Sequence, residues 1–308
     1  GNLTDIAEIF ERNGAVVKLV LSGDLHHYSH YAPRQDGPHL VTAGGGGAFL
    51  HPTHKLPDAV QVSWRDGGRD DYDVKAVYPD KQVSRALSYK NLLFSFFNWD
   101  FSLMIGGIYA LLSWFLETRR LGSGRSLSEA FRSMMDGHLS VLSTLGRFFE
   151  TIPKSPEFAI VVAALVAGLT AFNVSTNWPG KLLLGLGHSA MHFVALIVSF
   201  CIAVETVALF DLPFEGSFAG FALFLTTMVI VGAVLGGLVF GGFLLFSLNV
   251  LGLQWTNAFS SLRNGDHKNF VRLRIDRKGR LTVYPAGIDR TGDGGSGARP
   301  IEHHFTVE

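Results

Sequence analysis

The chain has 308 residues, enough for two ordinary domains, and its 26 basic residues balance 26 acidic ones, so nothing in the charge argues for a nucleic-acid partner. Its single cysteine, Cys201, lies inside an apolar run, which excludes a disulfide framework and a Cys-type zinc finger. The opening residues GNLTDIAEIFERNG lack a charged segment followed by an apolar one, so they do not read as a secretory signal. They begin mid-pattern, and we expect a piece of a longer protein.

Residues 4–12 read as a short helix with Thr4 as its N-cap. The apolar run Ala15–Leu21 reads as a buried strand, and HLVTAGGGG as a second strand that runs into a glycine turn at Gly44–Gly47. Between them, just past the first strand, stands SGDLHHYSHY, Ser22–Tyr31. Six of the twelve histidines (His26, His27, His30, His39, His51 and His54) fall between residues 26 and 54.

Four apolar segments follow: Leu92–Leu116, Phe158–Phe172, Leu182–Phe210 and Phe218–Leu253. Three are long enough to span a bilayer, and Phe158–Phe172 falls below the ~20 residues a span takes, which leaves a re-entrant reading open. Trp99, Trp114 and Trp255 sit near segment ends, as interfacial aromatics do. Gly232/Gly236 and Gly237/Gly241 are small-xxx-small pairs that let helix backbones approach closely. Ser126-Leu-Ser-Glu129 reads as a capping box. Leu127, Phe131, Met134, Met135, Leu142, Leu145, Phe148 and Phe149 then recur at helical spacing. This predicts an amphipathic helix near 126–149 that lies on the membrane or packs on the soluble domain.

After the membrane region, NFVRLRIDRKGRLTVYPAGI alternates apolar and polar residues around Arg277-Lys-Gly-Arg280, a β-hairpin signal. A lone hairpin is marginal in water, so we expect it to pair with the sheet of residues 15–43. That requires both ends on one side of the membrane and an even number of spans. Eight Lys and Arg between 254 and 290 place that side in the cytoplasm, although the loop between the first two segments also carries six basic residues.

A turn at a strand end is where α/β sheets gather ligand groups. Asp24 and His26, two apart, point to one side of an extended turn and suit a divalent ion, while His27 and Tyr28 face away. A polar turn whose histidines satisfy backbone carbonyls is the other reading. In Gly23-Asp24-Leu25-His26 the chain resembles the Gly-His-x-His motif of the calcineurin-like metallophosphoesterases. Val41–His54, VTAGGGGAFLHPTH, is similar to the strand and glycine turn that follow in that family, and FVRLRIDRKGRLTVYP to its closing hairpin. The resemblance is to a membrane-bound branch in which a multi-span region separates the two.

The resemblance implies an α/β fold: the C-terminal part of a metallophosphoesterase β-sandwich flanked by helices, with an inserted bundle of about four transmembrane helices. Residues 1–90 would belong to the phosphoesterase domain, 91–253 to the membrane and 254–308 to the closing hairpin and tail. It implies two divalent ions (Mn, Fe or Zn), bound here by His26 and by Asp24, which stands where the family has its first His. The family's Asp-x-His, Gly-Asp and Asn-His-Asp/Glu motifs have no match in these residues, so most ligands would lie outside them and no catalytic residue is assigned. His27, Tyr28, His30, His51 and His54 become candidates for substrate contact or for supporting the ligands. The expected partners are a phosphate-ester substrate and a lipid bilayer. Gly44–Gly47 fits neither dinucleotide nor P-loop patterns and reads as backbone permissiveness that lets the chain pass close to the metal. A non-catalytic scaffold or transporter-like protein with a degenerate phosphoesterase fold is the alternative. A third reading rests on His188 and His192, at i, i+4 on one face of the third segment, as an intramembrane pair; packing is its bland counterpart.

Overall fold

The computed structural model describes the chain apart from residues 1, 63–68, 120–125, 139, 141, 142, 144, 145, 148, 151, 175, 176, 214–216, 293–296 and 308, and the side chains of 2–4, 8 and 11. It divides into two compact units, Gly1–Lys90 with Trp255–Glu308, and Asn91–Gln254.

The first unit opens with helix α1, Asn2–Arg12, so Thr4 lies inside the helix rather than at its N-cap. Strands β1 (Leu19–Ser22), β2 (Tyr28–Pro33), β3 (His39–Ala43), β4 (Ala59–Val62) and β5 (Asp70–Tyr78) form one sheet in the order β1-β3-β2-β5-β4. Only the β1–β3 pair is parallel. The first strand is shorter than the apolar run predicts. Tyr28 and His30, expected in the turn, belong to β2, because YSHYAP alternates β-formers that are buried on both faces of the sheet. A register shift between His30 and Tyr31 divides those faces. Tyr31 and Tyr72 pack with Ala7 of α1 on one side, and Tyr28, Val41 and Tyr78 pack with Val271, Ile301 and Phe305 on the other.

Of those last three residues, Val271 and Phe305 come from a second sheet and Ile301 from a connection within it. Strands β6 (Lys268–Ile275) and β7 (Leu281–Ile288) form the predicted hairpin, and Asp276 accepts hydrogen bonds from the Lys278 and Arg280 amides at its turn. The expected pairing with residues 15–43 is corrected. The second edge of β7 is taken by β8 (Arg299–Pro300) and β9 (Phe305–Val307), so the hairpin builds its own sheet and meets the first one face to face. Helix α2 (Lys81–Ser88) is capped by Asp80, whose carboxylate accepts from the Gln82 and Val83 amides.

The second unit is helical: α3 (Phe94–Phe97), α4 (Trp99–Glu117), α5 (Leu127–Met135), α6 (Pro156–Phe172), α7 (Trp178–Leu209) and α8 (Phe218–Asn249). Three of them, α4, α7 and α8, are long and apolar enough to cross a membrane, fewer than the four expected. The shortfall is α6, which starts at Pro156 and stops before Asn173 after 17 residues. Close approach of α4 and α8 depends on glycine: a Cβ on Gly106 would collide with the Val229 carbonyl, and one on Gly236 with Ile105. The Ser126–Glu129 capping box is present with both of its hydrogen bonds. Its helix does not run to 149 but ends before Gly137, which takes a positive φ of 76°. Of the predicted stripe, Leu142, Leu145 and Phe148 lie outside the described residues. Leu127 and Phe131 are buried in the helical core, where Phe131 meets Phe200 of α7. Within the helical unit this helix is therefore a packed element of the bundle.

Removing residues 255–308 uncovers Tyr28, Val41 and Tyr78. Limited proteolysis of the truncated chain should cut within 19–43 faster than in the intact chain; an unchanged pattern would mean the second sheet is dispensable to the first.

Candidate functional site

The stretch between β1 and β2 folds back on the glycine run. The Gly44 amide donates to the His27 carbonyl at 3.1 Å, and a Cβ on Gly44 would collide with the Gly23 and Leu25 carbonyls. A Cβ on Gly47 would strike the ring of His26. None of the four glycines has a positive φ, so hydrogen in place of a side chain matters here for space and not for backbone conformation. From β6, Asn269 accepts from the Gly45 amide at 3.2 Å and Lys268 donates to the Gly47 carbonyl at 2.5 Å. The hairpin thus reaches the site through side chains.

His51 clamps the turn. Its amide donates to the His26 carbonyl at 3.2 Å, and its Nδ1 accepts from the His26 amide at 2.9 Å. An accepting Nδ1 leaves the ring proton on Nε2, which donates to Thr256 Oγ1 at 3.2 Å. Burial, and then His26, push the His51 imidazole down, with Asp24 opposing. Both of its nitrogens are therefore engaged. His54 is also structural: its Nδ1 accepts from the Ser84 hydroxyl at 2.8 Å, and that oxygen accepts from the Thr53 amide at 3.0 Å.

Tyr28 and His30 serve a different centre. Glu302 Oε1 accepts from the Tyr28 hydroxyl at 2.5 Å and from His30 Nδ1 at 2.9 Å. On its other side, His30 Nε2 pairs with His39 Nδ1, 2.8 Å away. Phe305 stacks on His30 with ring centroids 4.1 Å apart. Burial first, then the bond to Glu302, push the Tyr28 hydroxyl far above its ordinary range, and burial followed by His30 lowers His39. The result is a carboxylate–imidazole–imidazole chain that ties the two sheets together. Glu302 and Phe305 carry no sequence signal for this role, since they stand more than 260 residues from His30 and His39.

What remains open is His26 and His27. His27 is only 1 % exposed, and neither of its ring nitrogens has a hydrogen-bond partner among the described residues. Burial, then His51 and His26, push its imidazole from 6.5 down to about 4, so it is neutral at physiological pH and keeps a free lone pair. The Nδ1 of His26 is likewise buried without a partner. The His26 ring is held edge-on by Phe49 and His51, at centroid distances of 4.6 and 5.0 Å. Unpaired buried nitrogens cost about 1–3 kcal/mol each, so their persistence points to a group that uses them. Of the expected ligand residues, Asp24 is solvent-exposed and His26 half-buried, while His27, expected to face away, is buried. Neutral imidazole is a fitting donor for Mn, Fe or Zn. Two imidazoles are fewer than a divalent ion takes, and among the described residues no group of three or more His, Cys, Asp or Glu could hold a metal. Further donors would have to come from outside them.

In the helical unit, His188 and His192 do lie together, with Nε2 atoms 3.2 Å apart. His192 Nδ1 pairs with the Tyr109 hydroxyl at 2.7 Å, a partner from α4 that spacing along α7 could not reveal. His188 stacks flat on Phe243 with centroids 4.0 Å apart, and its Nδ1 is buried without a partner among the described residues. Tyr109 and His192 line an apolar cavity of about 520 Å³ between α4, α6 and α7.

The packing of Gly47 on the His26 ring gives a matched pair of substitutions. Gly47→Ala should destabilise the first unit by roughly 1–3 kcal/mol through overpacking, whereas Gly46→Ala, with open space around it, should change it by less than about 0.5 kcal/mol. Denaturant unfolding compares the two directly, and equal effects would contradict the close approach.

The chain matches no family model, no curated protein and no solved structure, so the chemistry of this site rests on its own geometry.

Proposed function

We propose that the protein is a membrane-anchored, metal-dependent phosphoesterase, in which His26 and His27 donate to divalent metal. The observation that carries this reading is the pair of adjacent imidazoles between β1 and β2, His27 buried and His26 half-buried, with three ring nitrogens unpartnered among the described residues and Gly47 pressed against the His26 ring. The likeness of SGDLHHY and TAGGGGAFLHPTH to the calcineurin-like metallophosphoesterases supplies the reaction class. A bound pair of divalent ions provides an activated water and neutralises charge on the phosphoryl oxygens. The chain's own residues hold the donors: His51 fixes the turn by its reciprocal bonds to His26, and Phe49 limits rotation of the His26 ring. Asp24, which is solvent-exposed, would orient a donor and not ligate the ion itself.

For the membrane part, the soluble unit is built from both ends of the chain, and this supports an even number of crossings. With α4, α7 and α8 crossing, α6 would make the fourth, at about 26 Å for its 17 residues. The Lys and Arg residues after α8 favour the cytoplasm for the soluble unit. A transporter-like or scaffold reading has its own support in the Tyr109–His192–His188 chain beside an apolar cavity, where polar groups at membrane depth are costly to keep.

The test uses the full-length protein. His26→Ala and His27→Ala should each lower metal content and reduce hydrolysis of a chromogenic phosphodiester by at least about 10–100-fold, while Asp24→Ala should fall at the lower end of that range. Wild-type metal content and hydrolysis in both histidine variants would transfer the function to the scaffold or transporter-like reading.

A further inference from the structure

The β6–β7 hairpin carries a surface that neither the fold nor the site uses. β6 is the outermost strand of the second sheet, with one backbone edge unpaired by another strand. Along it and its turn, Arg272, Arg274, Arg277 and Lys278 are exposed, and none forms an ion pair among the described residues. The nearby acid, Asp276, is engaged by the Arg280 guanidinium at 2.9 Å and by two backbone amides. Arg299 is likewise held by Asp289. Four cations therefore stand without neutralising partners on one short hairpin.

Charges on an edge strand often serve only to prevent pairing with another chain. That account does not explain the apolar residues between them. Phe270, Leu273 and Ile275 are large and exposed, and Ile275, just before the turn, is 72 % exposed. An edge built for protection alone would not present three such side chains. Phe270, Arg272 and Arg274 also line an open groove of about 1010 Å³, with Tyr284 and His304 stacked at its wall. Interleaved cations and apolar anchors are the composition that engages a lipid headgroup layer, the cations meeting phosphate and the apolar groups entering beneath it. The hairpin follows shortly after α8, one of three helices long enough to cross a membrane, so a bilayer is the anionic surface within its reach.

We propose that the β6–β7 hairpin docks edge-on on an anionic phospholipid surface, so that Phe270, Arg272 and Arg274 from one face of β6, Leu273 and Ile275 from the other, and Arg277 and Lys278 of the turn all meet it. This inference does not depend on the phosphoesterase reading. The full chain is placed in nanodiscs of phosphatidylcholine alone or with added phosphatidylglycerol, and amide hydrogen exchange is followed across residues 268–288. Phosphatidylglycerol should slow exchange in the hairpin. Raising salt from about 0.1 to about 1 M, which shortens the Debye length from about 10 to 3 Å, should reverse the effect. Each Gln substitution at the four cations should weaken docking about fivefold, and the quadruple variant by several hundredfold, so that its slowing disappears. Equal exchange on both discs would overturn the proposal, as would slowing that survives the quadruple substitution. Protection by heparin in phosphatidylcholine discs, without protection by phosphatidylglycerol, would also overturn it in favour of a soluble polyanion. The salt reversal in unaltered protein keeps the test valid should the quadruple variant fold poorly.

Discussion

The approach of the turn at residues 23–27 to the backbone at Gly44–Gly47 is the constraint on which the rest of the first unit depends. Side chains at Gly44 and Gly47 would occupy the positions of the Gly23 and Leu25 carbonyls and of the His26 ring. Without that contact the reciprocal His26–His51 bonds could not close, and His27 would not be sealed from water. The second sheet then secures the glycine run, with Asn269 on the Gly45 amide and Lys268 on the Gly47 carbonyl. Residues more than 200 positions apart in sequence thus converge on one turn, which gives a reason for a first unit assembled from both ends of the chain.

Burial decides which histidines are available. His30, His51 and His54 are paired through hydrogen bonds to Glu302, the His26 amide and Ser84, so they stabilise the unit without offering a free donor. His27 is desolvated and neutral, with no hydrogen-bond partner among the described residues. A protein retains such a group at a cost in stability, and function is the usual reason. The proposed phosphoesterase assigns that cost to metal binding.

Local signals in the sequence were followed closely by the structure where they depended on neighbouring residues. The β6–β7 hairpin, the Ser126–Glu129 capping box and the strand at His39–Ala43 all belong to this class. What depended on tertiary partners was not legible. Alternation along Asp24–Tyr28 does not reveal the burial of His27, because nothing local shows that the turn folds under the glycine run and that β2 begins at Tyr28. The hairpin was assigned to the wrong sheet, since β8 and β9 are too short and irregular to read as strands that would occupy the second edge of β7. Glu302 and Tyr109 complete histidine chains from distant elements, and no spacing rule reaches that far.

The central claim is that the unpartnered nitrogens of His26 and His27 are metal donors. Anomalous diffraction from crystals of the full-length protein grown with Zn²⁺ tests it most directly. The account predicts a zinc peak about 2.0–2.1 Å from a ring nitrogen of His26 and of His27. Ordered waters hydrogen-bonded to those nitrogens, with no anomalous peak beside them, would contradict it.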